Sequence, residues 1–540
     1  MRRRRGSAAA AVALIVIAII LWVTSLASQG FMGIASAVCE GWSSMAWVER
    51  GAAILLTAGF ILLVLGAIVR RLGGSAALAA LGVILLIAGI VAYVFAYAAV
   101  ASDSPSKIEV VRLRKPLDML TTRLIPLHTA YAYATSMLQT PTHTIYEDET
   151  YVYYDREGNI VFNWIIEPEG FWNEISREPL GVVLVNGSIY PPKVLIIKHK
   201  MVWGLHRLIL TPFYVDTLWR EIKLRVGPAV RVLMSCNAEV VRNGVPYILI
   251  PIASWEVGAT TSVPVPLGFA VVAPNGSIRV VSFKQALHNP LFRGVPLVPE
   301  VVAREWVMIY RYYTGFWNVV LYHNTFTIRN VGSNPQPYLM IGPHHHLYWV
   351  FVAEPPGTTY AARYIMYVNA SDPNPHILIY KLPKPVIGIS RVASFIKQKH
   401  PRYDWSQFTI EEPMPVILNG TLYWKAVVTT KDGRGLISID FINASSGRVI
   451  SIEPNGTITM KEVLKYVLTG SMGNVSKAAK AGGIKGIIAK IGELKKKILQ
   501  QEEELRKLYQ ELSSLQNQLE RLLANRTSVT ATHTHSPAGG

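Results

Sequence analysis

Three consecutive histidines stand in PHHHLYWV, residues 343–350, and imidazoles are metal-ligating side chains. If the run is an extended strand, His344 and His346 share a face and offer two imidazoles to a metal. Two ligands do not complete a site. A third would have to come from His323, His376 or the acidic run YEDET at 146–150, and nothing in the sequence spacing places any of them.

Carboxylates are the other chemistry-bearing group. Glu147, Asp148, Glu149, Glu167 and Glu169 lie within about two dozen residues of one another, close enough for the fold to pair two of them as acid and base. Such clusters more often form solvated faces. The chain has no His-Glu-x-x-His, Gly-x-Ser-x-Gly, phosphate loop or dinucleotide fingerprint. No catalytic residue is therefore assigned and no cofactor is implied.

Two cysteines, Cys39 and Cys236, are the only thiols. An oxidising compartment would permit one bridge between them. Eight asparagines begin Asn-X-Ser/Thr acceptors for N-glycosylation: Asn186, Asn275, Asn369, Asn419, Asn443, Asn455, Asn474 and Asn525. None precedes residue 102, a one-sided distribution that fits an exported region.

The elements that must position these residues begin with three uncharged apolar stretches, 7–28, 51–69 and 75–101. Each is long enough to cross a hydrocarbon core of about 30 Å. Arg2 to Arg5 precede the first and Arg70 with Arg71 separate the second from the third. The positive-inside rule then puts the N-terminus in the cytoplasm and everything after residue 102 outside. A cleaved signal peptide over the first stretch is the rival reading, and it leaves the rest of the chain outside as well. The three segments carry no Asp, Glu, Lys, Arg or His, so they read as an anchor rather than a transport path. Gly59 and Gly66, like Gly82 and Gly89, are seven residues apart, a spacing that allows close helix–helix approach.

Beyond residue 103 the texture becomes β. Runs such as VPYILIPIASW (245–255) are punctuated by Asn-Gly at 186, 243, 275, 419 and 455 and by Asp-Gly at 432, which predicts many hairpins. Pro-Asn-Gly-[Ser/Thr]-Ile occurs twice, in VVAPNGSIRVVSFKQAL and SIEPNGTITMKEVLKYVL, each time leading into a helix-like segment. NGVPY and NGTLY precede the two copies at comparable distances, and PLGVVLVNGSIY (179–190) is a looser echo of PLGFAVVAPNGSI. The expectation is a repeated α+β module.

After a small-residue linker, Ile484, Ile487, Ile491, Leu494, Ile498, Gln501, Leu505, Leu508, Leu512, Leu515, Leu519 and Leu522 are spaced 3, 4, 3, 4 throughout. That is a coiled coil of roughly 58 Å. One such seam per chain makes self-association the economical reading. The Ser/Thr-rich tail after residue 523 reads as disordered.

The expected organisation is thus a three-helix anchor (1–102), a β-rich α+β ectodomain (103–240, 291–415) with two module copies (241–290, 416–469), a linker (470–483), a coiled coil (484–523) and a tail (524–540). The net charge of +18 is spread along the chain. It suits lipid head groups, acidic glycans or other envelope proteins, and no nucleic-acid motif accompanies it. The function expected is an oligomeric, membrane-anchored surface scaffold or adhesion component of the cell envelope, without catalysis of its own. Two alternatives are an extracytoplasmic metal-dependent enzyme or binder using His344 and His346, and an accessory subunit of a secretion or surface-filament machine.

Overall fold

A computed structural model describes residues 33–71, 76–119, 121–210, 215–330, 336–357 and 361–469, together with Leu515. Met1–Leu468 form one compact unit and Thr469–Gly540 a second. The first apolar stretch, 7–28, lies outside the described residues, as do Asn474, Asn525 and the heptad positions other than Leu515, which is helical and exposed.

The other two apolar stretches are helices, Trp47–Arg71 and Ala77–Asp103, each with a mean hydropathy of 2.7 over its most apolar window. They form an antiparallel pair joined along small residues. Ala52, Gly59 and Gly66 on one helix, and Gly82, Gly89 and Ala96 on the other, are buried at seven-residue intervals. A Cβ on Gly66 would lie 2.3 Å from the Ala79 nitrogen, and one on Gly82 would lie 2.5 Å from that of Leu63. Backbones this close tolerate hydrogen alone, so the spacing seen in the sequence is the packing seam. The outward faces, including Ile54, Phe60, Ile84 and Phe95, are exposed apolar surface.

The larger sheets of the β region are built on four antiparallel meanders in chain order, and three two-stranded pairs accompany them among the described residues. The first runs through Tyr151–Tyr154, Ile160–Ile165, Gly181–Asn186 and Val194–Lys198. The second uses Ala238–Arg242, Val245–Val257, Ser262–Val272 and Ile278–Ser282, with Arg231–Val232 also pairing to Val245–Val257. The third comprises Tyr338–Ile341, Leu347–Glu354, Ala361–Asn369 and His376–Ile387. To its outer edge Glu109–Leu113 adds in parallel, Glu109 facing His376. The fourth is Phe408–Leu418, Thr421–Thr430, Leu436–Asn443 and Val449–Ile452.

Each sheet buries both faces, and the apolar clusters show against what. Ile165 and Val182 of the first sheet pack on Ile248, Ile250 and Ala270 of the second. The opposite face of the second, Leu249, Phe269 and Val271, meets Trp349, Phe351 and Met366 of the third, with the Glu300–Tyr310 helix between them. Val350, Val352 and Tyr367 continue to Trp424, Ala426 and Val428 of the fourth. Val427, Ile439 and Phe441 then return to Phe162, Trp164 and Val183 of the first. Four consecutive meanders thus share their buried faces in a cycle, first with second, second with third, third with fourth and fourth with first. The two-residue pair Ile458–Thr459 with Ile189–Tyr190 ties the end of the described chain back to the first sheet.

The sequence repeats therefore have a different meaning from the one expected. Asn243-Gly244 and Asn419-Gly420 have positive φ at both residues, as tight two-residue hairpins require. At Pro274-Asn275-Gly276 only the glycine does, and Ala273 and Ser277 close the loop through Ala273 N–H donating to Ser277 O at 2.9 Å. Proline presets the first turn position and glycine takes the left-handed one. In the first copy this turn joins strands three and four of one sheet, whereas in the second it follows strand four, and Ile458 pairs across to another sheet. The copies share a strand exit and a capping box, Ser282 with Gln285 and Thr459 with Glu462, rather than a module. The looser echo is the better structural match: Gly181 and Gly268 both lie in third strands at left-handed φ, each against a carbonyl of the fourth strand.

Candidate functional site

The histidine run is a turn, not a strand. Gly342 and Pro343 end the preceding strand, because proline cannot donate to the ladder. Pro343–His345 form a single 3-10 turn in which His344 and His345 adopt φ of 58° and 61°. All three histidines are exposed, and His346 accepts the Gly342 N–H through its backbone oxygen at 2.8 Å. The shared face expected for His344 and His346 does not exist. His376 instead sits beside Asp372, and no group of three or more His, Cys, Asp or Glu side chains among the described residues could hold a metal.

Cys39 and Cys236 are both free, Cys236 buried under the second sheet, and the bridge that an oxidising compartment would permit is not formed. Burial pushes the Cys236 thiol up to about 12. Of the glycan acceptors, Asn275, Asn419 and Asn455 are exposed on turns. Asn186, Asn369 and Asn443 are half-buried, with side-chain oxygens accepting backbone N–H groups two residues on. Ser188 of the Asn186 acceptor is buried and its hydroxyl accepts the Ile160 N–H.

The acidic residues do converge. Glu149 precedes the first strand of the first sheet and Glu167 follows its second, while Glu239 lies in the first strand of the second sheet. Glu149 pairs with the His206 ring, which also lies 4.6 Å from the Tyr146 ring centroid. Glu167 is fully buried and accepts the Leu205 N–H at 2.6 Å. Its carboxylate fits because residue 204 is glycine: a Cβ there would come within 2.3 Å of it. Glu239 is also fully buried; its backbone N–H donates to Asn163 Oδ1 at 2.7 Å, and the Asn237 amide donates to its carboxylate.

Burial disfavours the charged forms. It pushes Glu167 up to about 7 and holds Glu239 well above the carboxylate range, with the nearby Glu149 charge raising both further. The Glu149 hydrogen bond raises His206. The chemistry available is proton uptake near neutrality rather than attack on a substrate, since neither carboxyl reaches the surface. Glu149 and Glu167 belong to the carboxylates marked in the sequence. His206 and Glu239 carried no local signal, because sheet packing brings them in.

A second polar cluster escaped sequence reading entirely. His400 Nε2 lies 3.0 Å from Asp440 Oδ1 and 3.2 Å from Ser451 Oγ. A Ser-His-Asp relay needs the two ring nitrogens to serve the two partners separately. Here one nitrogen serves both, so the group is a structural link between the Val392–Lys399 helix and the fourth sheet.

A third cluster lies between sheets. Arg123 forms a fully buried ion pair with Glu412, whose carboxylate also accepts the Leu127 N–H at 2.8 Å. Lys425 donates to Leu124 O at 3.0 Å, and burial pushes it down to about 7. Glu412 has a φ of 45° within a bulge of its strand, a device that redirects a side chain. The chain matches no family model, no curated protein and no solved structure.

Proposed function

We propose that the chain is a cell-envelope scaffold or adhesion component, anchored in the plasma membrane, with the β body outside and the heptad helix at 484–523 joining copies. The observation that supports it best is how the body is attached to the apolar pair. Trp47 and Val48 donate backbone N–H groups to Gly258 O and Ala259 O at 3.2 and 3.1 Å. Ser104 Oγ accepts the Ser262 N–H at 3.0 Å, and Ser102 Oγ accepts that of Phe316 at 2.9 Å. Lys223, fully buried, pairs with Glu40 of the helix at 33–44, which leads into Trp47–Arg71. The body is therefore fixed to one end of the helix pair, as suits a part that holds position and presents a surface.

In this reading the exposed acceptors Asn275, Asn419 and Asn455 face the exterior and carry glycans where the host supplies them. The basic surface meets acidic glycans or other envelope proteins. Mass measurement of the full chain in nanodiscs, with and without residues 484–523, tests the scaffold: oligomers that become monomers on deletion are expected. A full chain that is monomeric at every concentration removes the reading's main support.

A further inference from the structure

Where the body meets the apolar helices, apolar and aromatic side chains are exposed among the described residues. On the 33–44 helix, Ile34, Val38 and Trp42 recur every four residues and all three are exposed, so they form one stripe along the helix. The same helix is held to the body on its other side, through Glu40 with Lys223 and Ser44 O with the Ser262 hydroxyl. Trp47 follows at 62 % exposure, and the Arg50 guanidinium lies over both Trp47 and Trp42, 4.7 and 5.7 Å from their ring centroids.

A second element reaches the same end of the helix pair from elsewhere in the sequence. Residues 312–322 turn back on themselves through Gly315 (φ 95°), and the short helix Phe316–Val320 rests on the Ala77–Asp103 helix. Phe316 packs edge-on against Tyr97 at 5.7 Å between ring centroids. Trp317, Val320, Leu321 and Tyr322 point away from the body, Leu321 and Tyr322 at 62 % and 75 % exposure.

We propose that these two elements form a collar that seats the body in the interfacial zone of the bilayer, with the lipid surface itself as the occupant. The assignment rests on the membrane reading of the apolar helices. Continuity argues for lipid rather than a partner protein: both elements are joined to the helix pair by hydrogen bonds or ring contacts, so their apolar surface extends the exposed apolar surface of the helices. The composition fits too. Tryptophan and tyrosine with a snorkelling arginine are enriched at the head-group level, where a ring meets hydrocarbon and its N–H or O–H meets water. An amphipathic helix lying in that zone buries its apolar face by about 5–10 Å.

Nitroxide accessibility in the full chain reconstituted in phosphatidylcholine–phosphatidylglycerol nanodiscs tests this. In a Cys39→Ser background, with Cys236 shielded by burial, single cysteines at Trp42, Trp317 and Leu321 are labelled and compared with Phe60→Cys on the helix pair. The collar positions should favour oxygen over a water-soluble nickel chelate, less strongly than position 60. If position 60 is in lipid and the collar positions are as chelate-accessible as free label, the collar is wrong and the anchor stands. If position 60 is also in water, the anchor reading fails and the collar falls with it.

Discussion

Glu412 shows how much one side chain can be made to carry. Its left-handed backbone costs on the order of 1–2 kcal/mol for a residue that is not glycine, and a bulge in the Phe408–Leu418 strand supplies it. In exchange its carboxylate neutralises a buried guanidinium. Glu412→Ala, which strands Arg123, is expected to destabilise by about 3–5 kcal/mol. Lys425→Met, which removes a buried cation and keeps its bulk, should change stability far less; equal losses in denaturant unfolding would contradict this account. Glu167 acts through pH. Its folded pKa of about 7 lies above the reference value of 4.5, so the fold favours the proton. Its contribution to stability is then fully present below pH 4.5 and is lost as the pH rises to about 7, by about 1.4 kcal/mol for each tenfold gain in proton affinity on folding. Glu167→Gln should raise Tm at pH 8 and flatten the Tm profile between pH 4.5 and 7. Parallel profiles for the two proteins would show that the carboxyl is not holding that proton.

Among the elements, the helix pair is the most legible in the sequence. Glycines seven residues apart lie on one side of a helix, and no longer-range information is needed to see it. Gly66→Leu and Gly51→Leu separate seam from surface, because a Cβ at Gly51 would meet nothing within 4 Å. The first should lower Tm in nanodiscs, with a cost of roughly 1–3 kcal/mol for forced overpacking; the second should leave it near the parent value. Hairpins are legible too, through Asn-Gly. The histidine turn is not, since the strand pattern on either side of PHHH hides the break that Gly342 and Pro343 impose. The module reading fails for a related reason. A proline–asparagine–glycine turn and a capping box are local devices, and the chain uses them wherever a strand ends and a helix begins.

At the scale of the whole molecule, the closed cycle of four sheets could not be read from the sequence. Every sheet buries both faces, so strands such as VPYILIPIASW lose the alternation that would mark a single buried side. Which sheet faces which is decided by contacts far apart in sequence, and these also assemble Glu149, Glu167, His206 and Glu239. Closure has a measurable correlate. Ile458 and the Met460–Thr469 helix complete the cluster between the fourth and first sheets. Truncation after residue 457 should therefore lower Tm by several degrees, whereas truncation after residue 470 should leave it close to that of the full chain. Equal Tm values would mean that the cycle holds without its closing pair.

The parallel strand Glu109–Leu113 sets a timetable for biogenesis. It leaves the ribosome immediately after the Ala77–Asp103 helix, yet its partner, His376–Ile387, is made only after two whole sheets and part of a third. That strand is thus made early and paired late. Until that partner is made the strand's edge is left to solvent, and late, non-local pairings of this kind are slow and exposed to aggregation. A folding helper that shields such an edge would matter more to this protein than to one whose sheets close in the order they are made.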